Sequence, residues 1–349
     1  MSSPKPRYLA VAAAVAALAL AACGSGPTTS PASPASPASP ALPSASPTPP
    51  TQPLTGLPLA ADDPSARRPA LFIKVENAYE ARPQSGLDKA DVVYEELVEG
   101  GMSRFAAIFQ SRDPGELGPV RSVRPMDPPL AAPLKGLAAF SGGIGPFIVA
   151  LDEVAQDLSA EKLGEAPPYH RASSRVAPHN LYVNAKGLWP KAGTPYNRPP
   201  LPLFEYGPLP DAGARPAGAV RMSFSDMDQD SRNSWRWDGR TWNRLQNGRP
   251  FTVAGSGILS ATNVLIERVL VHDTPYIDAA GLRVPESIVV DSGNGTLLRD
   301  GKAIDVTWSK PRPESPTDLM SSSGQPVKLK PGTAWVELVP VGLPVTVTP

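Results

Sequence analysis

From Gly24 to Pro53 this chain is built almost wholly of Pro, Ala, Ser and Thr, and Pro-Ala-Ser repeats between Pro31 and Pro40. Such a stretch has little apolar surface to bury, and its prolines cannot donate to a helix or a sheet. It therefore favours extended polyproline II over a packed core. At about 3.1 Å per residue, roughly thirty residues reach on the order of 90 Å when fully extended. The segment predicts a disordered stalk, and folding is expected from Leu54 onward. A second proline cluster, Pro195 to Pro216, reads as a boundary between two folded stretches, 54–205 and 217–347.

The residues ahead of the stalk give it a context. Lys5 and Arg7 precede an apolar run from Leu9 to Leu20, then small Ala21 and Ala22, then Cys23. This is the pattern of a secretory signal peptide over residues 1–22. The apolar run is about a dozen residues, short of the roughly 20 that a spanning helix needs. Leu20-Ala21-Ala22-Cys23 resembles the lipobox of bacterial lipoproteins. That resemblance implies cleavage before Cys23 and a diacylglyceryl group on its sulfur. Two acyl chains anchor stably, at about 0.8 kcal/mol per buried methylene. The reading makes residues 23–53 a lipid-anchored linker, makes the membrane a partner through Cys23, and places the rest on the outer face of the cell membrane.

Composition then narrows the chemistry. Cys23 is the only cysteine, so once acylated it leaves no thiol for a disulfide, a nucleophile or a zinc site. The three histidines argue against a multi-His metal centre. Lys+Arg and Asp+Glu balance at 33 each, so no bulk field points to nucleic acid. No Gly-x-Ser-x-Gly, His-Glu-x-x-His or calcium-loop pattern occurs, and no cofactor is expected. At 349 residues and 41% apolar content the chain suffices for two ordinary domains.

Periodicity predicts an α+β fold: a mixed α/β layered-sandwich domain followed by a mostly antiparallel β domain. Leu71–Val75, Val92–Val98, Phe105–Phe109 and Leu137–Phe140 read as strands, and Phe147–Leu158 as a helix with Leu151, Val154, Ala155 and Leu158 on one face. In the second stretch, Asp238-Gly239 predicts a two-residue hairpin loop that pairs Trp235 with Trp242. Asn263–Val271, Ile288–Asp291 and Trp335–Val339 read as further strands.

Candidate site residues gather around one hairpin. If Gly100-Gly101 is a two-residue loop, Leu97 faces Arg104 and Glu95 faces Ala106. Side chains alternate, so Glu95, Glu99 and Arg104 share a face, and Glu96 falls on the apolar side with Tyr94 and Phe105. A covered face would oblige those carboxylates to find partners; an open one would leave surface ion pairs. A slip of one residue would exchange Glu95 and Glu96. Arg121 and Arg124 precede Asp127-Pro128, which reads as a helix start, and can either grip an anion or pair with the glutamates. Ser141-Gly142-Gly143-Ile144-Gly145 fits a tight turn better than a phosphate loop. His170, His179 and Asn180 lie in a loop-rich stretch, as acid–base candidates or as hydrogen-bonded structural residues.

Many short segments match one pattern in order: Pro53-Leu54-Thr55-Gly56, Arg82-Pro83-Gln84-Ser85-Gly86-Leu87, Ala90-Asp91-Val92-Val93-Tyr94-Glu95-Glu96, Gly118-Pro119-Val120-Arg121-Ser122-Val123-Arg124, Pro178-His179-Asn180-Leu181-Tyr182 and Pro331-Gly332-Thr333-Ala334-Trp335. They resemble the YerB-like lipoproteins, a bacterial family of two consecutive domains of unknown function. The resemblance implies a layered α+β sandwich and no assigned reaction. The residues themselves favour a non-catalytic protein that binds a cell-wall component or an anionic small molecule through Glu95, Glu99, Arg104, Arg121, Arg124, His179 and Asn180. The alternatives are an envelope hydrolase, a glycosidase or phosphodiesterase using Glu95 with His179 or Asp127, and a scaffold for a protein partner.

Overall fold

The computed structural model describes residues 50–210, 213–227 and 231–349. The expected signal peptide, Cys23 and nearly all of the expected linker lie outside the described residues. Among the described residues no helix is long and apolar enough to cross a membrane.

The first stretch supplies β1 (Leu71–Glu76), β2 (Val92–Leu97), β3 (Ser103–Phe109), α1 (Asp127–Ala131), β4 (Leu137–Ala139), α2 (Gly145–Asp152) and β5 (Gln156–Asp157). The second supplies β6 (Ala219–Ser223), β7 (Arg232–Trp237), β8 (Trp242–Gln246), β9 (Asn263–Val269), β10 (Val271–Ile277), β11 (Arg283–Ser287), β12 (Ser292–Arg299), β13 (Lys302–Ser309), β14 (Asp318–Ser321), β15 (Ala334–Pro340) and β16 (Val345–Thr348).

An 11-stranded mixed sheet forms the centre, in the order β14-β13-β12-β9-β15-β2-β3-β1-β4-β5, with a short strand Arg215–Pro216 beside β13. The two stretches flanking the Pro195–Pro216 cluster both contribute to it. They join where β15 lies parallel to β2, from Val92 opposite Ala334 to Glu95 opposite Glu337. Strands β6, β7, β8 and β16 belong to a second, six-stranded antiparallel sheet.

Strand alternation gives the large sheet two apolar faces. One carries Ile73, Val75, Val93, Phe105 and Ala107 and packs on Val220, Met222, Trp235 and Trp242 of the six-stranded sheet. Edge-to-face rings seal this layer, Phe105 and Trp235 standing 5.2 and 5.4 Å from Trp335. The other face carries Phe72, Val92, Tyr94, Ala106 and Ile108 and packs on Leu130 of α1, Leu151 of α2, Phe204 and Val284. Each buried Val, Leu, Ile, Phe or Met side chain contributes about 1.5–3 kcal/mol by leaving water. The result is three layers around two cores.

Two hairpins differ from their expected register. Glu99-Gly100-Gly101 makes a three-residue loop, closed by Val98 N–H donating to Met102 O at 2.8 Å. Gly100 and Gly101 have φ of 69° and 78°, which suits glycine and extends the turn by one residue. Glu95 therefore faces Phe105, and Glu96 faces Arg104. The expected grouping of Glu95 with Arg104 is corrected: Glu96 takes that face. Likewise the Asp238–Thr241 loop has four residues, so Trp237 pairs with Trp242 and Trp235 with Arg244. The Asp238 carboxylate accepts from Arg240 N and Thr241 N, both at 2.8 Å, which holds the wider turn. Helix α2 ends at Asp152, short of Leu158, because the chain turns to lay β5 parallel to β4. Ile288–Asp291 is a connection and not a strand.

Candidate functional site

On the helix-covered face a row of charges crosses three strands. Glu76 of β1 stands opposite Arg104 of β3, and Arg104 opposite Glu96 of β2. Lys74, two residues before Glu76, shares that face by alternation. Its ammonium bonds Glu96 and, at 2.8 Å, Asp127. Lys74, Glu96 and Asp127 are fully buried. Burial pushes the Lys74 amine down to about 7, and Asp127 opposes the shift.

The segment that carries Arg121 and Arg124 passes over this row. Arg124 grips Glu99 with two nitrogens, Nε at 2.5 Å and Nη2 at 2.7 Å. Asp127 opens α1 as its first helical residue, following Met126, and its second oxygen accepts from Arg124 N at 2.6 Å. Arg104 donates to Ser122 O at 2.9 Å. Burial, then the neighbouring Arg124, pushes the Arg104 guanidinium down to about 9. Four cations (Lys74, Arg104, Arg121, Arg124) thus stand among four acids (Glu76, Glu96, Glu99, Asp127).

The cluster opens at one margin. Arg121 Nε lies 3.1 Å from Glu76 Oε1, and His179 Nδ1 lies 3.0 Å from the same oxygen. Both side chains remain 24% exposed, whereas Glu76 is almost buried. Arg121 Nη1 also reaches Pro178 O at 3.5 Å, which ties the two loops together. Among the described residues His179 Nε2 and the second oxygen of Glu76 have no hydrogen-bond partner.

The structure therefore brings together Glu96, Glu99, Arg104, Arg121, Arg124, Asp127 and His179. It separates Glu95, which projects from the opposite face. There its Oε1 accepts from Ser103 Oγ at 2.6 Å, Asn233 Nδ2 at 2.8 Å and Arg244 Nη2 at 3.0 Å. Asn180 stands beside His179 but turns into its own loop, accepting from Arg171 and donating to Ala172 O and Arg175 O. His170 lies apart on the surface, 3.1 Å from Glu116 and stacked near Tyr182.

Four charged members of these networks were not among the expected residues: Lys74, Glu76, Arg244 and Glu337, which Arg244 Nη1 reaches at 3.3 Å. The first two had a signal. In Leu71-Phe72-Ile73-Lys74-Val75-Glu76 two charges recur at period two in an otherwise apolar strand, so they must share a face. Arg244 was hidden by the mis-registered tryptophan hairpin. Glu337 had no local signal, since only its long-range pairing with β2 makes it notable.

The comparisons with known proteins bear on this architecture. Residues 54–196 match the family described as "Protein of unknown function (DUF3048) N-terminal domain", and residues 220–336 match its C-terminal domain. The chain belongs to this family. YerB of Bacillus subtilis (strain 168), described as a candidate lipoprotein, is 28% identical over 283 residues, covering 78% of this chain and 82% of YerB. The crystal structure of Bacillus subtilis YerB superposes with a TM-score of 0.71 at 25% identity, over 85% of this chain and 99% of that one. The layered fold of this family member is therefore that of YerB. The α+β architecture and the YerB-like resemblance expected from the residues both hold.

Proposed function

We propose that this protein is an extracytoplasmic lipoprotein, held at the outer face of the cell membrane by acyl chains on Cys23. In this reading it binds a compact anionic group of a cell-envelope component at the Glu76–Arg121–His179 margin. The observation that supports it most is convergence: Arg121 Nε and His179 Nδ1 approach one oxygen of Glu76 at 3.1 and 3.0 Å, and both side chains keep an exposed edge. Glu76 fixes the guanidinium and the imidazole through one shared oxygen. Among the described residues Arg121 Nη2 and His179 Nε2 are left for a ligand, and a guanidinium donates strongly to a carboxylate or phosphate. The kinship with YerB and the Leu20-Ala21-Ala22-Cys23 signal support the address.

A hydrolase using Glu95 with His179 is disfavoured, because the two lie on opposite faces of the sheet. Lys74 has an amine pushed near neutrality, which suits a general base, but no substrate reaches a side chain with no exposed surface. Binding is therefore the better reading.

Calorimetry with phosphate- and carboxylate-bearing envelope fragments tests it. The wild-type chain is expected to bind one of them, and Arg121→Ala to weaken that binding about tenfold or more, or 1.4 kcal/mol. Unchanged affinity in Arg121→Ala contradicts the proposal.

A further inference from the structure

A second cationic surface lies on a different layer. The outward side of the six-stranded sheet, away from buried Trp235 and Trp242, carries Arg221 on β6 and Arg232 and Arg236 on β7. Arg249 stands on the short strand beyond β8. All four are exposed. Arg221 is registered opposite Ser234, with Arg232 and Arg236 two residues to either side of that serine. Arg232 and Arg236 are thus about 13 Å apart along the strand, and Arg221 sits diagonally between them at about 7–8 Å. Among the described residues none of the four guanidiniums has a carboxylate partner. They line an open concavity of about 1060 Å³, in which Asp226 is the one acid among the described lining residues.

Ordinary surface design does not account for this arrangement. Charges on an edge strand guard it against pairing with another chain, which covers Arg249. Strands β6 and β7 are interior to their sheet, so Arg221, Arg232 and Arg236 guard nothing. Like charges set diagonally repel, and the chain as a whole has enough acid to neutralise them, with 33 acidic and 33 basic residues.

We propose that this concave face binds a linear phosphodiester polyanion. A single phosphate occupies only one or two guanidiniums, whereas this face spreads its arginines over about 13 Å of strand. A strand of repeated phosphates can meet several at once and release a counterion at each contact. The face is hollow, which suits a chain lying in it better than a flat bilayer. The site is separate from the Arg121 margin in position, and it takes a repeating rather than a compact anion.

Fluorescence anisotropy of the full chain with a labelled poly(glycerol phosphate) of about ten units tests this, across a salt series. With about 0.7–0.9 counterions released per contact, four contacts give a log–log salt slope of roughly −3. Arg221→Gln is expected to reduce that slope by about one, and the four-fold Arg→Gln variant to weaken binding at least a hundredfold. Arg121→Ala is expected to leave both unchanged, which keeps this result distinct from that of the compact-anion site. If the four-fold variant does not fold, Arg221→Gln and Arg236→Gln alone carry the test. Unaltered slopes in these variants overturn the proposal. So does arginine-dependent binding to phosphatidylglycerol vesicles without binding to the polymer, which would make the face a bilayer contact.

Discussion

Glu95 and Glu337 stand opposite each other on adjacent parallel strands, both fully buried. One guanidinium serves both: Arg244 Nη1 lies 2.7 Å from Glu95 Oε2 and 3.3 Å from Glu337 Oε1. Burial, and then the nearby Glu95, holds the Glu337 carboxyl well above the usual range, so it keeps its proton. Trp235 Nε1 donates to it at 2.6 Å. The faces of Phe251 and Trp335 lie 4.8 and 5.0 Å from the guanidinium carbon. Arg244 thus links the six-stranded sheet to the seam where the two stretches of chain join.

Unequal costs follow from that arrangement. Glu337→Gln replaces a neutral acid with a neutral amide and is expected to change stability by less than about 1 kcal/mol. Arg244→Met strips the cation from a buried carboxylate and is expected to cost about 3–5 kcal/mol. Urea unfolding of both variants measures this. Equal losses would contradict the protonated state assigned to Glu337.

Lys74 balances Glu96 and Asp127 on the opposite face. Lys74→Met leaves two buried carboxylates without their cation, and a loss of about 3–5 kcal/mol is expected in the same assay. A loss below about 1 kcal/mol would mean that the cluster does not hold the fold.

Glu267 offers a pH test. Burial raises its carboxyl to about 8, with Lys310 opposing the shift. The folded state therefore keeps a proton that the unfolded chain releases above about 4.5. The stability this group supplies is full below that pH and is lost as pH rises towards 8. Between pH 5 and 6 the Lys74 and Lys310 amines, at about 7 and about 8, are still largely protonated in both states. Glu337 acts with the same sign as Glu267. Glu267→Gln is expected to flatten the decline of stability over pH 5–6 by up to about 1.4 kcal/mol per pH unit. An unchanged slope would contradict the raised carboxyl.

The address has its own test. Cys23→Ala is expected to move the protein from the membrane fraction to the soluble one, with an unaltered melting temperature for the folded part. Retention in the membrane fraction would point to an anchor other than lipid on Cys23.

Strand existence was legible in the residues, because alternation in Val92–Leu97 and Ser103–Phe109 is a local property. Register was not, since it depended on one loop residue: Glu99 belongs to the turn, and counting it as strand moves every side chain to the other face. The misfit of Glu96 among apolar neighbours was the visible sign. The Trp235–Trp242 hairpin failed the same way, through two extra turn residues, and with it went sight of Arg244. Convergence at Glu76 was beyond local reading, because His179 arrives from 103 residues away. The fold, then, could be read from periodicity, whereas the site depends on contacts that only the assembled sheet creates.

Ligand contact at the Glu76 margin separates a binding site from a purely structural charge cluster. Imidazole NMR of His179 in the folded chain, with and without a binding envelope fragment, addresses this directly. The expected result is a shift of the His179 ring signals that saturates with ligand and disappears in Arg121→Ala, with His170 and His272 unmoved. Saturable binding that leaves His179 untouched would contradict the account.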